Sequence, residues 1–137
     1  MRLLLDTHIW LWSVLEPKRL SRRVTKEIQD LSNELWLSPI SIWEVIVLWQ
    51  KGRMIPEQDI EAWVPRALCA LPLQEAPVTY EVARETARLR LLHPDPADRF
   101  LLATAKVFEL TLVTADDHLL KSHEVSLLAN RSLDKQG

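Results

Sequence analysis

The chain has 137 residues, of which 47% are hydrophobic and 26% are charged, as is usual for one soluble globular domain. Its formal net charge of −2 excludes a protein that holds nucleic acid through overall basicity. The two glycines and single cysteine exclude a glycine-rich phosphate loop, an internal disulfide and a zinc site made of cysteines.

The first half of the chain alternates short apolar runs with helical periodicity. Residues 3–5 are three leucines, which is typical of a strand covered on both faces. Ser41 is predicted to open a helix, with Gly52 just beyond its end. The elements predicted here are a strand at 3–5, helices at 7–15 and 21–31, a strand at 35–38 and a helix at 41–50.

The second half continues the alternation. Pro56 precedes a predicted helix whose aligned positions are Ile60, Trp63, Val64 and Ala67. Pro72 restricts residues 71–73 to a short edge strand at most. The remaining predictions are helices at 79–92 and 95–108, a strand at 110–114, a helical turn at 116–120 and a strand at 125–128.

This order of strands and helices predicts an α/β fold, a three-layer sandwich with a short, mainly parallel central sheet flanked by helices. We expect one domain over residues 1–129, followed by a polar C-terminal tail at 130–137. Cys69 lies in an apolar run and is expected to be a buried thiol. We find no signal peptide or membrane-spanning stretch, and expect a soluble protein in the reducing cytoplasm.

Four acidic residues follow strands or open helices. Asp6 ends the first strand, and Asp116 lies just past the strand at 110–114. Glu44 and Asp98 are predicted in the first turns of their helices. Ligands of parallel sheets bind beyond the carboxyl ends of the strands, so these acids are candidates for one site.

Each acid also has a structural interpretation that remains open at this point. Asp6 is placed to cap the first helix, and Ser41 with Glu44 forms a capping-box pattern. Asp98 suits a helix N-terminus, and Asp116 and Asp117 suit a turn. If the acids do meet, a divalent cation would relieve their repulsion, and carboxylates favour Mg²⁺ or Mn²⁺. Hydrolysis of a phosphodiester is the chemistry that such a site supports.

Several blocks in register resemble the PIN-domain family, specifically the VapC-type toxin ribonucleases of VapBC toxin–antitoxin systems. The resemblance covers nearly the whole chain, and residues 93–105 are its most specific block. The matching blocks are residues 3–8 (LLLDTH), 38–45 (SPISIWEV), 52–54 (GRM), 93–105 (HPDPADRFLLATA) and 112–116 (LVTAD). The chain departs from many relatives in carrying Leu48 where they have a lysine, and Lys51 is a possible substitute.

The resemblance implies a Mg²⁺- or Mn²⁺-dependent endoribonuclease that hydrolyses RNA with a metal-activated water. It also implies roles for Thr7 and Thr114 in positioning water or acid, with local capping as the alternative. It further implies that Arg99 contacts a phosphate of the RNA, with a surface salt bridge as the alternative. The four acids that would serve as catalytic groups and metal ligands are Asp6, Glu44, Asp98 and Asp116.

The family also implies a homodimer and a cognate antitoxin whose tail covers an apolar groove. The chain has six tryptophans, a surplus that suits an interface. We expect at most one of Trp10 and Trp12 to lie in the core, because they point to different sides of a helix. The tryptophans chosen for the partner interface are Trp12, Trp43 and Trp49.

Other functions stay open from the sequence. A catalytically weak PIN-like module that binds RNA or the antitoxin would carry the same motifs. A phosphotransferase or phosphatase is disfavoured because Asp6 has no second aspartate two residues later. The four histidines lack zinc spacing, and His8 is assigned a structural role.

Overall fold

A computed structural model describes residues 1–53, 59–90 and 95–131, and its five strands form one sheet. Each pairing between neighbouring strands in this described part is parallel, as predicted. The strands are β1 (Arg2–Leu5), β2 (Glu34–Leu37), β3 (Leu73–Glu75), β4 (Thr111–Thr114) and β5 (Ser126–Ala129), in the order β3-β2-β1-β4-β5.

Helices cover both faces of the sheet and give the predicted three layers. Three short 3₁₀ turns, at Pro17–Arg19, Thr86–Arg88 and Leu119–Lys121, complete the connections. The helices are α1 (Thr7–Leu15), α2 (Arg22–Gln29), α3 (Pro39–Gln50), α4 (Ile60–Cys69), α5 (Tyr80–Glu85) and α6 (Pro96–Val107). No helix in the described ranges is long and apolar enough to cross a membrane.

The central strand β1 explains why three leucines occur in a row. Successive side chains of a strand point to opposite faces of the sheet. Leu3 and Leu5 enter one apolar core with residues of α1 to α4, whereas Leu4 enters a second core with α5 and α6. Because neither face of β1 meets solvent, the alternating pattern of a half-exposed strand is lost.

The start of α3 differs from the prediction. Pro39 occupies the first turn, and the Ser38 hydroxyl caps the helix by accepting a hydrogen bond from the Ile40 N–H at 3.0 Å. Ser38 rather than Ser41 is the N-cap because proline is preorganised for the first helical position. The capping-box interpretation of Glu44 is therefore wrong, and Glu44 lies in the second turn of α3.

Other boundaries shift as well. β3 begins at Leu73, after Pro72, and is an edge strand as predicted. The predicted helix at 79–92 is shorter, with α5 ending at Glu85 before the 3₁₀ turn. Predictions for Met54, Pro56, residues 91–94 and the tail from 132 lie outside the described residues.

Cys69 is exposed, contrary to the prediction of a buried thiol. The buried positions of α4 are Ile60, Trp63 and Ala67, which recur at helical spacing on one face. Cys69 is two residues beyond Ala67, and neighbours at that spacing do not share a helix face. Its apolar neighbours in sequence therefore said little about its burial.

Candidate active site

The four acids predicted from the sequence come together in one cleft. Asp6 directly follows β1, and Asp116 follows β4 by two residues. Glu44 is delivered by α3 and Asp98 by the first turn of α6. The cleft has a volume of about 280 Å³ and is lined by Asp6, His8, Trp12, Glu44, Asp95, Asp98, Ala115 and Asp116.

Asp6 is held by β4 rather than used as a helix cap. It occupies the N-cap position of α1, yet its side chain makes no capping hydrogen bond. Instead, the Thr114 hydroxyl donates to Asp6 Oδ2 at 2.6 Å and accepts a hydrogen bond from the Asp116 N–H at 3.0 Å. Burial raises the pKa of Asp6, and the Thr114 hydrogen bond only partly opposes this effect.

Glu44 is oriented by the first residue of α1. The Thr7 hydroxyl donates to Glu44 Oε1, and the Thr7 oxygen lies 2.8 Å from the buried Ser41 hydroxyl. These contacts join α1 to α3 at the rim of the sheet. Burial, followed by repulsion from Asp6 and Asp95, raises the pKa of Glu44 to about 7.

Asp98 is a strongly perturbed carboxyl of the cleft. Burial and the negative charges of its neighbours raise the pKa of Asp98 to about 8. The cap of α6 is Asp95, whose carboxylate accepts a hydrogen bond from the Ala97 N–H at 2.9 Å. Asp98 is thus buried in a helix first turn without being the residue that caps it.

Asp116 shapes a turn and also lies at the cleft. Its Oδ1 accepts hydrogen bonds from the backbone N–H groups of His118 at 2.7 Å and Leu119 at 3.3 Å, which shapes the turn after β4. The residue also lines the cleft. Asp117 instead points outward, with its carboxylate 3.3 Å from the Arg131 guanidinium.

The donor set suits a hard divalent cation, although the side chains do not form a closed cage. Within residues 1–53, 59–90 and 95–131, no three His, Cys, Asp or Glu side chains meet closely enough to hold a metal ion as they stand. Mg²⁺ commonly keeps several waters and uses only one or two carboxylates directly. The raised pKa values of Glu44 and Asp98 identify a place where added positive charge would be stabilising.

The structure adds two residues that the sequence did not assign to the cleft. His8 is exposed on the cleft wall, and its charge lowers the pKa of Asp6. Asp95, considered only as part of a helix start, lines the cleft while it caps α6. The available signal was the position of His8 on the first turn of α1 and of Asp95 just before α6.

Arg99 contacts a backbone carbonyl in the structure. Its guanidinium donates to the Thr86 carbonyl at 3.0 Å, which joins α6 to the 3₁₀ turn after α5. The contact seen is with a backbone carbonyl rather than the salt bridge given as the alternative, and the contact with phosphate stays a prediction. Leu48, at the position where many relatives carry lysine, packs against the apolar core.

The three tryptophans assigned to an interface occupy different environments. Trp12 lines the acidic cleft, and the Arg19 guanidinium lies 4.4 Å from the centre of its ring. Trp43 on α3 is 56% exposed, whereas Trp49 packs at the edge of the core. Trp10 is fully buried, so one of the pair at 10 and 12 lies in the core, as expected.

The sequence of this chain is similar to those of known proteins. The model of the PIN domain family matches residues 3–124. The chain is 33% identical to Ribonuclease VapC22 of Mycobacterium tuberculosis over 121 residues, which cover 88% of this chain and 90% of that protein.

Solved structures extend the similarity to the fold. VapBC2 from Rickettsia felis, bound to a DNA fragment from its promoter, matches with a TM-score of 0.73 at 17% identity over 94% of this chain and 98% of that one. DNA-bound VapBC from Salmonella typhimurium matches with a TM-score of 0.70 at 14% identity over 96% and 99%. At these identities the two structures support the architecture alone.

Proposed function

This chain belongs to the PIN domain family, and from that premise we propose that it is a VapC-type endoribonuclease, the toxin of a type II toxin–antitoxin system. The observation that carries the proposal is the meeting of Asp6, Glu44, Asp98 and Asp116 in one cleft. Four separate elements supply these side chains. Their burial and repulsion make the cleft costly unless a cation is bound there.

The four carboxylates would hold Mg²⁺ or Mn²⁺, directly or through water. Such a cation lowers the pKa of water and stabilises charge on the departing oxygen of a phosphodiester. Thr114 fixes the orientation of Asp6, and Thr7 fixes that of Glu44. The two threonine hydroxyls are therefore proposed to position the carboxylates of Asp6 and Glu44. These carboxylates supply anionic oxygens that face the cleft.

The proposed partners follow from the relatives. The similar structures are VapBC complexes, so we propose a cognate antitoxin and a homodimer as the states in which this chain occurs. Trp43 is the best candidate for such contacts, because more than half of its surface is exposed. We also propose that the protein acts in the cytoplasm, where RNA, its proposed substrate, is present.

Cleavage of RNA by the purified chain tests the proposal. We expect cleavage in Mg²⁺ or Mn²⁺, loss of cleavage in EDTA, and a loss of about 100-fold or more for Asp6→Asn or Asp98→Asn, since neutralising one ligand weakens the cation site. Asp117→Asn is the matched control, because its carboxylate points away from the cleft.

Three outcomes would count against the proposal. Undiminished cleavage in EDTA would rule out the metal-dependent mechanism. Full activity of Asp98→Asn protein would show that the carboxylate of Asp98 is not needed for cleavage. A parallel preparation of Asp6→Asn protein checks that this activity does not come from a contaminating ribonuclease. RNA binding without any cleavage by the unmodified chain would favour a binding module instead.

A further inference from the structure

A second, larger depression adjoins the acidic cleft on the side of α2. It has a volume of about 1130 Å³ and is formed mainly by the 3₁₀ turn at Pro17–Arg19 and by α2. We call it the basic groove. Its lining consists of Trp12, Lys18, Arg19, Leu20, Ser21, Arg22, Thr25, Lys26, Gln29, Asp30, Ala115 and Asn130.

The basic groove carries a charge opposite to that of the whole chain. Its lining includes four cationic side chains, all exposed, against the single acid Asp30. The formal charge of the chain is −2. Arg22 and Lys26 are four residues apart on α2 and so lie on one side of it. Four cations against one acid therefore give the groove lining a net positive charge.

The groove and the cleft share a wall. Trp12 and Ala115 line both depressions, and Asp116 follows Ala115 directly at the end of β4. Arg19 lies over the Trp12 ring at this junction. A polyanion that follows the cationic side chains would therefore be led toward the carboxylates.

The end of the sheet holds the groove in place. Asn130, just after β5, accepts a hydrogen bond from the Ser21 N–H at 2.6 Å and donates to the Arg19 carbonyl at 3.1 Å. These contacts tie the turn and the start of α2 to the strand beside β4. The position of the cations relative to the cleft is thus set by the fold and not by a free loop.

We propose that the basic groove binds the sugar–phosphate backbone of a single-stranded RNA segment whose scissile bond lies in the acidic cleft, an inference that rests on the proposed function. The cleft alone repels a polyanion, so binding requires cations nearby. Single strands are typically held by a positive groove with an aromatic side chain on which a base can stack. Trp12 stands at the junction where such a base would lie.

The test compares two double variants that remove equal charge. Arg22→Gln/Lys26→Gln changes the groove, whereas Arg23→Gln/Arg84→Gln removes two exposed arginines that do not line it. Binding to a labelled single-stranded RNA oligonucleotide is measured in the Asp98→Asn background, so that affinity is read independently of cleavage. Lys26→Glu serves as a second groove variant, and thermal melting verifies that each protein is folded.

We expect the groove variant to bind RNA at least about 10-fold more weakly, and the slope of log K against log salt to shrink by about 1.4, since each lost phosphate contact contributes about 0.7. The control variant should keep both values. In the cleavage-competent chain, the groove variant should raise KM while leaving kcat within about 2-fold.

Equal RNA affinity and salt slope for the two double variants would overturn the inference. So would loss of binding to an acidic protein partner with RNA binding unchanged, because the groove would then be a protein-docking surface. If the chain binds RNA through the groove but cleaves none in any metal, the proposed function fails while the RNA-binding role of the groove stands.

Discussion

Asp98 retains its proton at neutral pH in the metal-free protein, because its pKa of about 8 is far above the ordinary 3.8. Glu44, with a pKa of about 7, is about half protonated under the same conditions. The folded state therefore binds more protons at this cleft than the unfolded chain does. By linkage, the free energy of unfolding falls as the pH rises between about 4 and 8.

Replacing Asp98 with Asn should stabilise the metal-free protein at high pH. At pH 8 the substitution removes a buried charge, and we expect Tm to rise by roughly 3–8 °C in EDTA. At pH 5 the native carboxyl is neutral and only the early part of the pH-dependent loss has occurred, so the difference in Tm between the two proteins should be much smaller. Thermal melts at both pH values measure the difference.

The control for this experiment is Asp117→Asn, whose side chain is 85% exposed and should shift Tm little at either pH. A stabilisation of Asp98→Asn protein that is equal at pH 5 and pH 8 would show that charge is not its cause.

At the residue scale, the sequence predicted which acids meet but not their surroundings. Asp6 and Asp116 were recognisable because each follows an apolar strand whose end faces one edge of the sheet. His8 and Asp95 could not be assigned in the same way, since the direction in which a side chain at the start of a helix points depends on how α1 and α6 pack. The hydrogen bond from Arg99 to the Thr86 carbonyl could not be read from the sequence, because it depends on how α6 packs on the turn after α5; the contact with phosphate stays a prediction.

At the scale of elements, α3 shows how two plausible starts compete. Ser38 and Ser41 both fit an N-cap, and only the structure shows that Pro39 takes the first turn. The starting residue of α3 matters because a start at Pro39 places Glu44 in the second turn instead of the first. It also leaves the Ser41 hydroxyl free of capping and beside Thr7. Local sequence predicted the existence of the helix well, and its starting residue poorly.

Ser38→Ala should destabilise the protein by about 1 kcal/mol, the typical cost of losing an N-cap hydroxyl. Urea unfolding at equilibrium measures this value. The matched control is Ser126→Ala at an exposed position of β5, where the loss should be smaller. Equal losses for the two variants would contradict the capping role of Ser38.

At the scale of the whole molecule, cation binding and folding should be coupled. Binding to the folded state alone adds about 2.7 kcal/mol at a concentration 100 times the Kd. Because the carboxyls must release their protons first, Mn²⁺ or Mg²⁺ should raise Tm more at pH 8 than at pH 6. Melts with and without the cation check this expectation.

Asp6→Asn should lose most of the cation-dependent shift, whereas Asp117→Asn should keep it. An identical shift in wild-type and Asp6→Asn proteins would place the cation elsewhere on the surface. Release of protons on titration with Mn²⁺ at pH 7, measured in weak buffer, provides an independent readout of the same event.

The architecture was predictable because apolar runs and helical periods alternate along the chain. The three leucines of β1 already indicated a strand covered on both sides. The strand order could not be deduced, since it depends on which helices cross which face. The basic groove was equally hidden, because only the fold brings Trp12, Ala115 and α2 together.

The exposed thiol of Cys69 has a practical consequence for measuring assembly. It is the single cysteine in the chain, so a maleimide dye would label one known position without mutagenesis. The same thiol can link two copies covalently when samples oxidise in air, and the product would imitate a native dimer on a non-reducing gel. Sizing experiments on this protein therefore belong in fresh reductant, with Cys69→Ser run alongside.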